Sequence, residues 1–354
     1  MFHFFCFSLK KNMSNARNKA ASKALDRIKN KQRLHDADFY FEGIRNGNIG
    51  LLAEAITLVE STRYEHRKLS EDILQKCLPF AGNAIRLGIT GVPGVGKSTF
   101  IESFGTFLTQ KNHRVAVLAI DPSSPITKGS ILGDKTRMEF LSQNKDAFIR
   151  PSPAADTLGG VARKTKESLL LCEAAGFDFI IIETVGVGQS ETAVHQMTDF
   201  FLLLMLAGAG DQLQGIKRGI MEMCDALVIT KADGENEKKA MRAKAEYTSA
   251  LHFYPAKASG WIPKVSSCSA LENKGIEEVY SIIQEHHRWF KERGLLQQLR
   301  DQQDVQWMED NIKDLILNKY FENPDFQSKL REVRQQLSEK KITPFQAAEQ
   351  MFGL

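Results

Sequence analysis

The chain has 354 residues, of which 42% are hydrophobic and 25% charged, and a formal net charge of +4. These proportions fit one large globular domain, or a core with smaller additions, and so small a positive excess without a long basic block or base-reading motif gives no reason to infer nucleic-acid binding. The five cysteines, Cys6, Cys77, Cys172, Cys224 and Cys268, stand far apart with no CxxC pair or Cys/His cluster, which argues against zinc or a disulfide framework and for a reduced, cytoplasmic setting.

Residues 1–9 are apolar and aromatic, and Lys10 and Lys11 follow them. A signal peptide carries its charge before the apolar stretch, and a membrane span needs a longer one, so neither is expected here. Met13, followed by Ser14 and a polar helical pattern, is the more natural start. Residues 1–12 are expected to be a mis-assigned extension or a disordered tail. From about Ala16 to Gly82 the pattern is helical. Leu51, Leu52, Ala55, Ile56 and Val59 form one apolar stripe, and Ile73, Leu74 and Leu78 continue it until Pro79 and Gly82 close the segment.

Strand-like and helical runs then alternate. The expected strands are Ile85–Ile89, Val115–Ile120, Phe179–Ile182, Phe200–Leu206, Ala226–Ile229 and Val265–Ser267, with helices over Ser98–Gln110, Val161–Ala175 and Glu237–His252 among them. Continuous apolar strands joined by helices predict an α/β fold: a mostly parallel sheet covered by helices on both faces. In such a sheet ligands bind at the carboxyl ends of the strands, so the loops there hold the information. Beyond Ile276 the chain is helical again, and Val305, Met308, Ile312, Leu315 and Ile316 repeat at helical spacing. The expected division is an N-terminal helical segment over 13–83, a core over 84–285 and a C-terminal helical region over 286–354.

The first of those loops is Gly91-Val92-Pro93-Gly94-Val95-Gly96-Lys97-Ser98, followed by Thr99. It matches G-x-x-x-x-G-K-[ST] between a strand and a helix. Such a loop wraps its backbone amides around phosphate, and the helix N-terminus adds positive partial charge. Lys97 is expected on the β- and γ-phosphates and Ser98 on Mg²⁺. The next strand ends at Asp121, whose carboxylate can hold a Mg²⁺-bound water or orient the attacking one; an ordinary turn aspartate before Pro122 is the alternative. After Phe179–Ile182 come Glu183 and Gly186, in the acid-x-x-Gly form of a γ-phosphate-sensing loop. There the glycine amide can meet phosphate and Glu183 the water shell of the metal.

Thr230-Lys231-Ala232-Asp233 fits [NT]-K-x-D, the guanine-reading signature. Asp233 can accept from both N1–H and the N2 amine of guanine, donors that adenine lacks as a pair, while the stem of Lys231 covers the base. Thr230 supplies a hydroxyl where an amide is commoner, so some local hydrogen bonding is expected to be lost. Ser269-Ala270 resembles the S-A motif that contacts guanine O6. Together these loops predict a P-loop GTPase core that uses GTP, GDP and Mg²⁺.

Longer strings narrow the class. Asp121-Pro122-Ser123-Ser124-Pro125, Gly129 to Met138, Glu183 to Glu191 and Gly210 to Gly219 resemble the MeaB/ArgK GTPases, relatives of the methylmalonic aciduria type A protein, strongly over about Leu51 to Arg293 and more loosely beyond. The resemblance implies a GTPase chaperone for methylmalonyl-CoA mutase that gates adenosylcobalamin loading and protects the enzyme. It also implies a homodimer joined through C-terminal helices. By the same resemblance Asp134 joins Asp121 and Glu183 near Mg²⁺, and Gly210–Lys217 is a third switch, with Asp211, Gln214 and Lys217 as coupling residues. Asp134 as a solvated loop acid, and Lys217 as a solvated charge, are the alternatives. Three other functions are the alternatives. A kinase linked to amino-acid transport lacks H-R-D and D-F-G here. A nickel-inserting GTPase lacks a His-rich or paired-Cys segment. A scaffold that binds nucleotide without turnover draws only on the missing Gln after Gly186.

Overall fold

The structure, a computed structural model, describes residues 34–120, 138–151, 158–184, 190–208 and 218–352. The chain divides into two compact units, Met1–Pro79 and Phe80–Leu354.

In the first unit α1 (Ala37–Arg45), α2 (Ile49–Glu60) and α3 (Tyr64–Cys77) pack on one another. Asp36 and Asn48 start α1 and α2 by accepting from Phe39 N and Leu51 N, which satisfies amides that the helices leave open. Of the expected stripe, Leu52, Ala55, Ile56, Val59 and Ile73 are buried. Leu78 is not: it opens a 3-10 turn, Leu78–Phe80, and is 60% exposed, while Cys77 takes the buried place.

The second unit is built on a seven-stranded sheet, counted among the described residues. In chain order its elements are β1 (Ile85–Gly91), α4 (Lys97–Gln110), β2 (Val115–Ile120), α5 (Glu139–Gln143), β3 (Ala147–Arg150), α6 (Leu158–Ala174), β4 (Phe179–Thr184), α7 (Ser190–His195) and β5 (Phe200–Leu206). They are followed by α8 (Arg218–Met223), β6 (Ala226–Thr230), α9 (Glu237–Leu251), β7 (Lys264–Ser267), α10 (Ile276–Glu292), α11 (Leu295–Phe321), α12 (Pro324–Ser338) and α13 (Pro344–Phe352). The strand order is β3-β2-β4-β1-β5-β6-β7, and each pairing is parallel.

The six expected strands are present. β1, β4 and β6 run one or two residues further than their apolar runs, into Gly91, Thr184 and Thr230. β3 is an additional strand: it lies at the sheet edge, only Phe148 of its four residues is buried, and so short a half-covered strand has no apolar run to announce it. β2, β4 and β6 are buried at every position, as strands covered on both faces must be. α10 runs unbroken across positions 285 and 286.

Because all pairings are parallel, the ends of β1, β4, β5, β6 and β7 lie on one edge. The chain returns from β3 to β4 on one side of β1, then continues to β5 on the other, so the direction of winding reverses around the central strand. This reversal opens a crevice at the end of β1.

Candidate functional site

The crevice is where the phosphate-type loop stands. β1 ends at Gly91, where a Cβ would lie 2.6 Å from Leu204 O of β5, so only glycine allows the strands this approach. The loop then turns through Gly94 and Gly96, with φ of 79° and 95°, a region that side chains with a Cβ seldom enter. Val95 anchors the turn by its burial, whereas Pro93 and Gly94 are exposed and Val92 half-buried. α4 starts at Lys97, so its open amides and dipole face the loop, with Ser98 and Thr99 in its first turn.

Lys97 curls back and donates from Nζ to Gly91 O at 2.7 Å. Burial pushes its ammonium below the usual lysine range, against the pull of the Glu183 and Glu191 carboxylates, which hold the charge in place. Glu183 sits at the end of β4, opposite Ile89 of β1 and Ala119 of β2, and is 4% exposed. Glu191, in the first turn of α7, is 1% exposed. Glu191, which is not among the expected site residues, follows the acid-x-x-Gly sequence of Glu183 and Gly186 closely in the chain, and that spacing is its signal.

The base-type loop is tied to the phosphate-type loop by two hydrogen bonds. Thr230 Oγ1 donates to Val95 O at 2.7 Å, and also lies 3.2 Å from Met205 O. Lys231, at φ 55°, donates from Nζ to Gly94 O at 2.8 Å. The Thr230 hydroxyl reaches the phosphate-type loop directly from the end of β6. Next, Ser269 Oγ donates to Asp233 Oδ2 at 2.5 Å and accepts from Glu272 N at 3.1 Å. Ala232 N donates to Cys268 O at 3.0 Å, which brings the loops after β6 and β7 side by side, with Ala270 next in line. Ser103 Oγ of α4 donates to Asn273 Oδ1 at 2.7 Å, a third tie that no motif marks.

The structure thus brings together Gly91, Val92, Pro93, Gly94, Val95, Gly96, Lys97, Ser98, Thr99, Glu183, Thr230, Lys231, Asp233, Ser269 and Ala270 along one sheet edge. Asp121, Asp134, Gly186, Asp211, Gln214 and Lys217 lie outside the described residues, as do residues 1–12. Among the described residues, no three His, Cys, Asp or Glu side chains converge on a metal-sized site. No described helix is long and apolar enough to cross a membrane.

Such an edge can cradle phosphate at one end and discriminate a purine base at the other. Comparison with known proteins agrees. The profile of the family described as "Methylmalonyl Co-A mutase-associated GTPase MeaB" matches residues 52–325. The GTPase ArgK of Escherichia coli K12 is 48% identical over 301 residues, covering 85% of this chain and 91% of that protein. A mitochondrial methylmalonic aciduria type A homolog from Mus musculus is 44% identical over 322 residues, covering 88% of this chain and 78% of its own. A crystal structure described as a LAO/AO transport system kinase superposes with a TM-score of 0.72 at 39% identity, covering 91% of this chain and 99% of that one. With its phosphate-type and base-type loops joined on a parallel P-loop core, and with this likeness along most of its length, the chain belongs to the MeaB family and is a GTPase.

Proposed function

We propose that the protein couples Mg²⁺-dependent GTP hydrolysis to the chaperoning of a methylmalonyl-CoA mutase, gating the loading of adenosylcobalamin and protecting the loaded enzyme. The observation that carries the reading is the pair of ties from Thr230 and Lys231 to Val95 O and Gly94 O. They make base recognition and phosphate binding one unit, so that GTP is sensed as a whole. The family description, which names a mutase association, supports the choice of partner.

In this reading Asp233 accepts from guanine, held for the task by Ser269, while the Ala270 amide meets O6 and the Lys231 stem lies along the base. The loop amides of 91–99 and Lys97 neutralise the phosphates, with Lys97 acting on the charge that develops during transfer. Mg²⁺ fits the described residues. Ser98 and Glu183 offer the hard oxygen donors that suit Mg²⁺, a metal that takes most of its other ligands from phosphate and water. Asp121 and Asp134 complete this set and Gly186 senses the γ-phosphate. Asp211, Gln214 and Lys217 report the partner to the site from the loop after β5, and the setting is the cytoplasm.

A homodimer belongs to the same proposal. Val305, Met308, Ile312, Leu315 and Ile316 of α11 are 47–54% exposed in the single chain, so the stripe does not pack on its own core. A second copy can bury it over the 286–354 region, and light scattering would then give twice the 39.8 kDa chain mass.

The test is GTP turnover with and without saturating methylmalonyl-CoA mutase, alongside co-purification of the two. Stimulation is expected, and it is expected to fall selectively in Lys217→Ala while basal turnover holds. No complex and no stimulation would overturn the partner. Equal stimulation of the variant would remove Lys217 from the coupling.

A further inference from the structure

α4 follows the phosphate-type loop, and further along the same helix one side chain reaches the turn after β7. Ser103 is 8% exposed, and its hydroxyl donates to Asn273 Oδ1 at 2.7 Å, across 170 positions. A serine or threonine inside a helix has one proton to give, and it commonly turns it back onto a carbonyl of the preceding turn. Others in this chain do so. Thr109 of the same helix donates to Thr106 O at 2.9 Å, Ser168 of α6 to Lys164 O at 2.7 Å and Ser281 of α10 to Glu277 O at 2.9 Å. Ser103 gives its proton to a distant turn instead.

That turn is closed by its own backbone. Ser269 N donates to Lys274 O at 3.0 Å and Lys274 N to Ser269 O at 3.1 Å. Gly275 follows at φ 74°, where a Cβ would stand 2.3 Å from Ser267 O. Inside the turn Asn273 holds φ 53°, in the left-handed region that asparagine enters more readily than most residues with a Cβ. Asparagine thus meets two demands here, the backbone angle and the acceptor for Ser103, whereas glycine would meet only the first.

What the turn holds gives the tie its consequence. Ser269 Oγ accepts from Glu272 N, the residue beside Asn273, and donates to Asp233 Oδ2. A connected line therefore runs from α4 through Ser103, Asn273, Glu272 and Ser269 to the Asp233 carboxylate. A shift of the turn moves the Ser269 hydroxyl and with it the direction of that carboxylate. An acceptor that serves two donors at once tolerates little tilt, because a hydrogen bond weakens steeply as its angle closes.

We propose that Ser103 and Asn273 are positioning residues for base selection: their bond fixes the turn of residues 269–274 on α4 and so aligns Asp233 with both N1–H and the 2-amine of guanine. The inference rests on the reading of Asp233 as the acceptor for guanine. Neither Ser103 nor Asn273 lies in a nucleotide motif.

The experiment is competition binding of GTP and inosine triphosphate to the full chain. Inosine triphosphate keeps N1–H and lacks the 2-amine, so the ratio of the two affinities reads the alignment of Asp233. Ser103→Ala and Asn273→Gly break the same bond from opposite ends, and the glycine keeps the left-handed angle. Each is expected to shrink the preference for GTP by roughly threefold to tenfold. The double variant is expected to shrink it no further than either single one. Asn273→Asp, which keeps both the angle and the acceptor, is expected to retain the wild-type preference. A tie that only holds the fold would weaken both nucleotides alike. An unchanged ratio in Ser103→Ala and Asn273→Gly, equal loss of both nucleotides, or additive losses in the double variant overturns the proposal. Asp233→Asn is the control and is expected to collapse the preference. A preference that survives it overturns the reading of Asp233 itself, whereas collapse there with none in the two tie variants overturns this proposal alone.

Discussion

The two edges of the parallel sheet treat charge in opposite ways. At the amino edge each of three strands is preceded by an aspartate that accepts from a backbone amide within or just before a neighbouring strand. Asp178 takes Arg114 N at 2.7 Å, Asp199 takes Arg86 N at 2.9 Å and Asp225 takes Phe201 N at 2.9 Å. Each also has a side-chain partner: His113 on Asp178, Arg300 on Asp199 and Lys257 on Asp225. Arg86 pairs in turn with the buried Glu173 at 2.9 Å. At the carboxyl edge the cations instead rest on backbone carbonyls, Lys97 on Gly91 O and Lys231 on Gly94 O. A carbonyl is a weaker partner than a carboxylate, so these two lysines can be drawn to phosphate and base at little cost. The contrast separates the edge that holds the fold from the edge that works.

That separation can be tested from its largest expected effect downward. Arg300 donates to both oxygens of Asp199, at 2.9 and 2.7 Å, to Ala84 O at 2.7 Å and to Gly82 O. Arg300→Met leaves the Asp199 carboxylate buried without its cation, and is expected to cost about 3–5 kcal/mol in denaturant unfolding. The KM for GTP should stay within a factor of two or so, since the edge is remote from the nucleotide. A large rise in KM alongside wild-type stability would reverse the division proposed here.

Lys97→Ala is the counterpart on the working edge. Turnover should drop by about 10²-fold or more, because the Lys97 ammonium, held on Gly91 O at the end of β1, is placed to meet developing phosphate charge. The unfolding midpoint should fall by less than in Arg300→Met, because Lys97 gives up one hydrogen bond to a carbonyl and the attraction of Glu183 and Glu191. Retained hydrolysis would place the chemistry elsewhere.

The amino edge also carries a pH dependence. Burial pushes the His286 imidazole down to about 4, against the opposing pull of Asp225, whose Oδ1 lies 3.7 Å from Nε2. The unfolded chain takes up this proton below about pH 6.5, and the folded chain only near 4. Across that window the unfolded state binds more protons, so stability falls as pH falls, by up to about 3 kcal/mol from this group. Urea titrations at pH 7 and 4.5 should show the decline, and His286→Gln should flatten it by that share. An equal decline in the variant would move the effect to other groups.

The smallest expected change concerns choice of base. Asp233→Asn should weaken GTP by about 1–3 kcal/mol and erode its preference over ATP, by removing a charged acceptor that Ser269 positions at 2.5 Å. Competition binding of the two nucleotides measures it. Unchanged discrimination would mean that the base is read by other groups.

Much of the working edge was legible before folding was considered. A phosphate loop acts through consecutive backbone amides, so its residues must be adjacent in the chain, and 91–98 announce themselves. Strands covered on both faces appear as unbroken apolar runs, which is why β1, β2, β4, β5 and β6 could be located within one or two residues. The aspartates before β4, β5 and β6 also stand in plain view, each immediately before its apolar run, but nothing local distinguishes them from turn residues.

Order in the chain by itself determined the sheet class, the two nucleotide loops and the family likeness, because those depend on periodicity and on side chains a few positions apart. Tertiary structure decided the rest. Arg300 meets Asp199 across 101 positions, and Thr230 reaches Val95 across 135. β3 becomes a strand because β2 offers it an edge, Leu78 loses its expected burial to Cys77, and the stripe of α11 faces outward. Burial and pairing are properties of neighbours in space, and a linear pattern states which residues want neighbours without stating which ones they obtain.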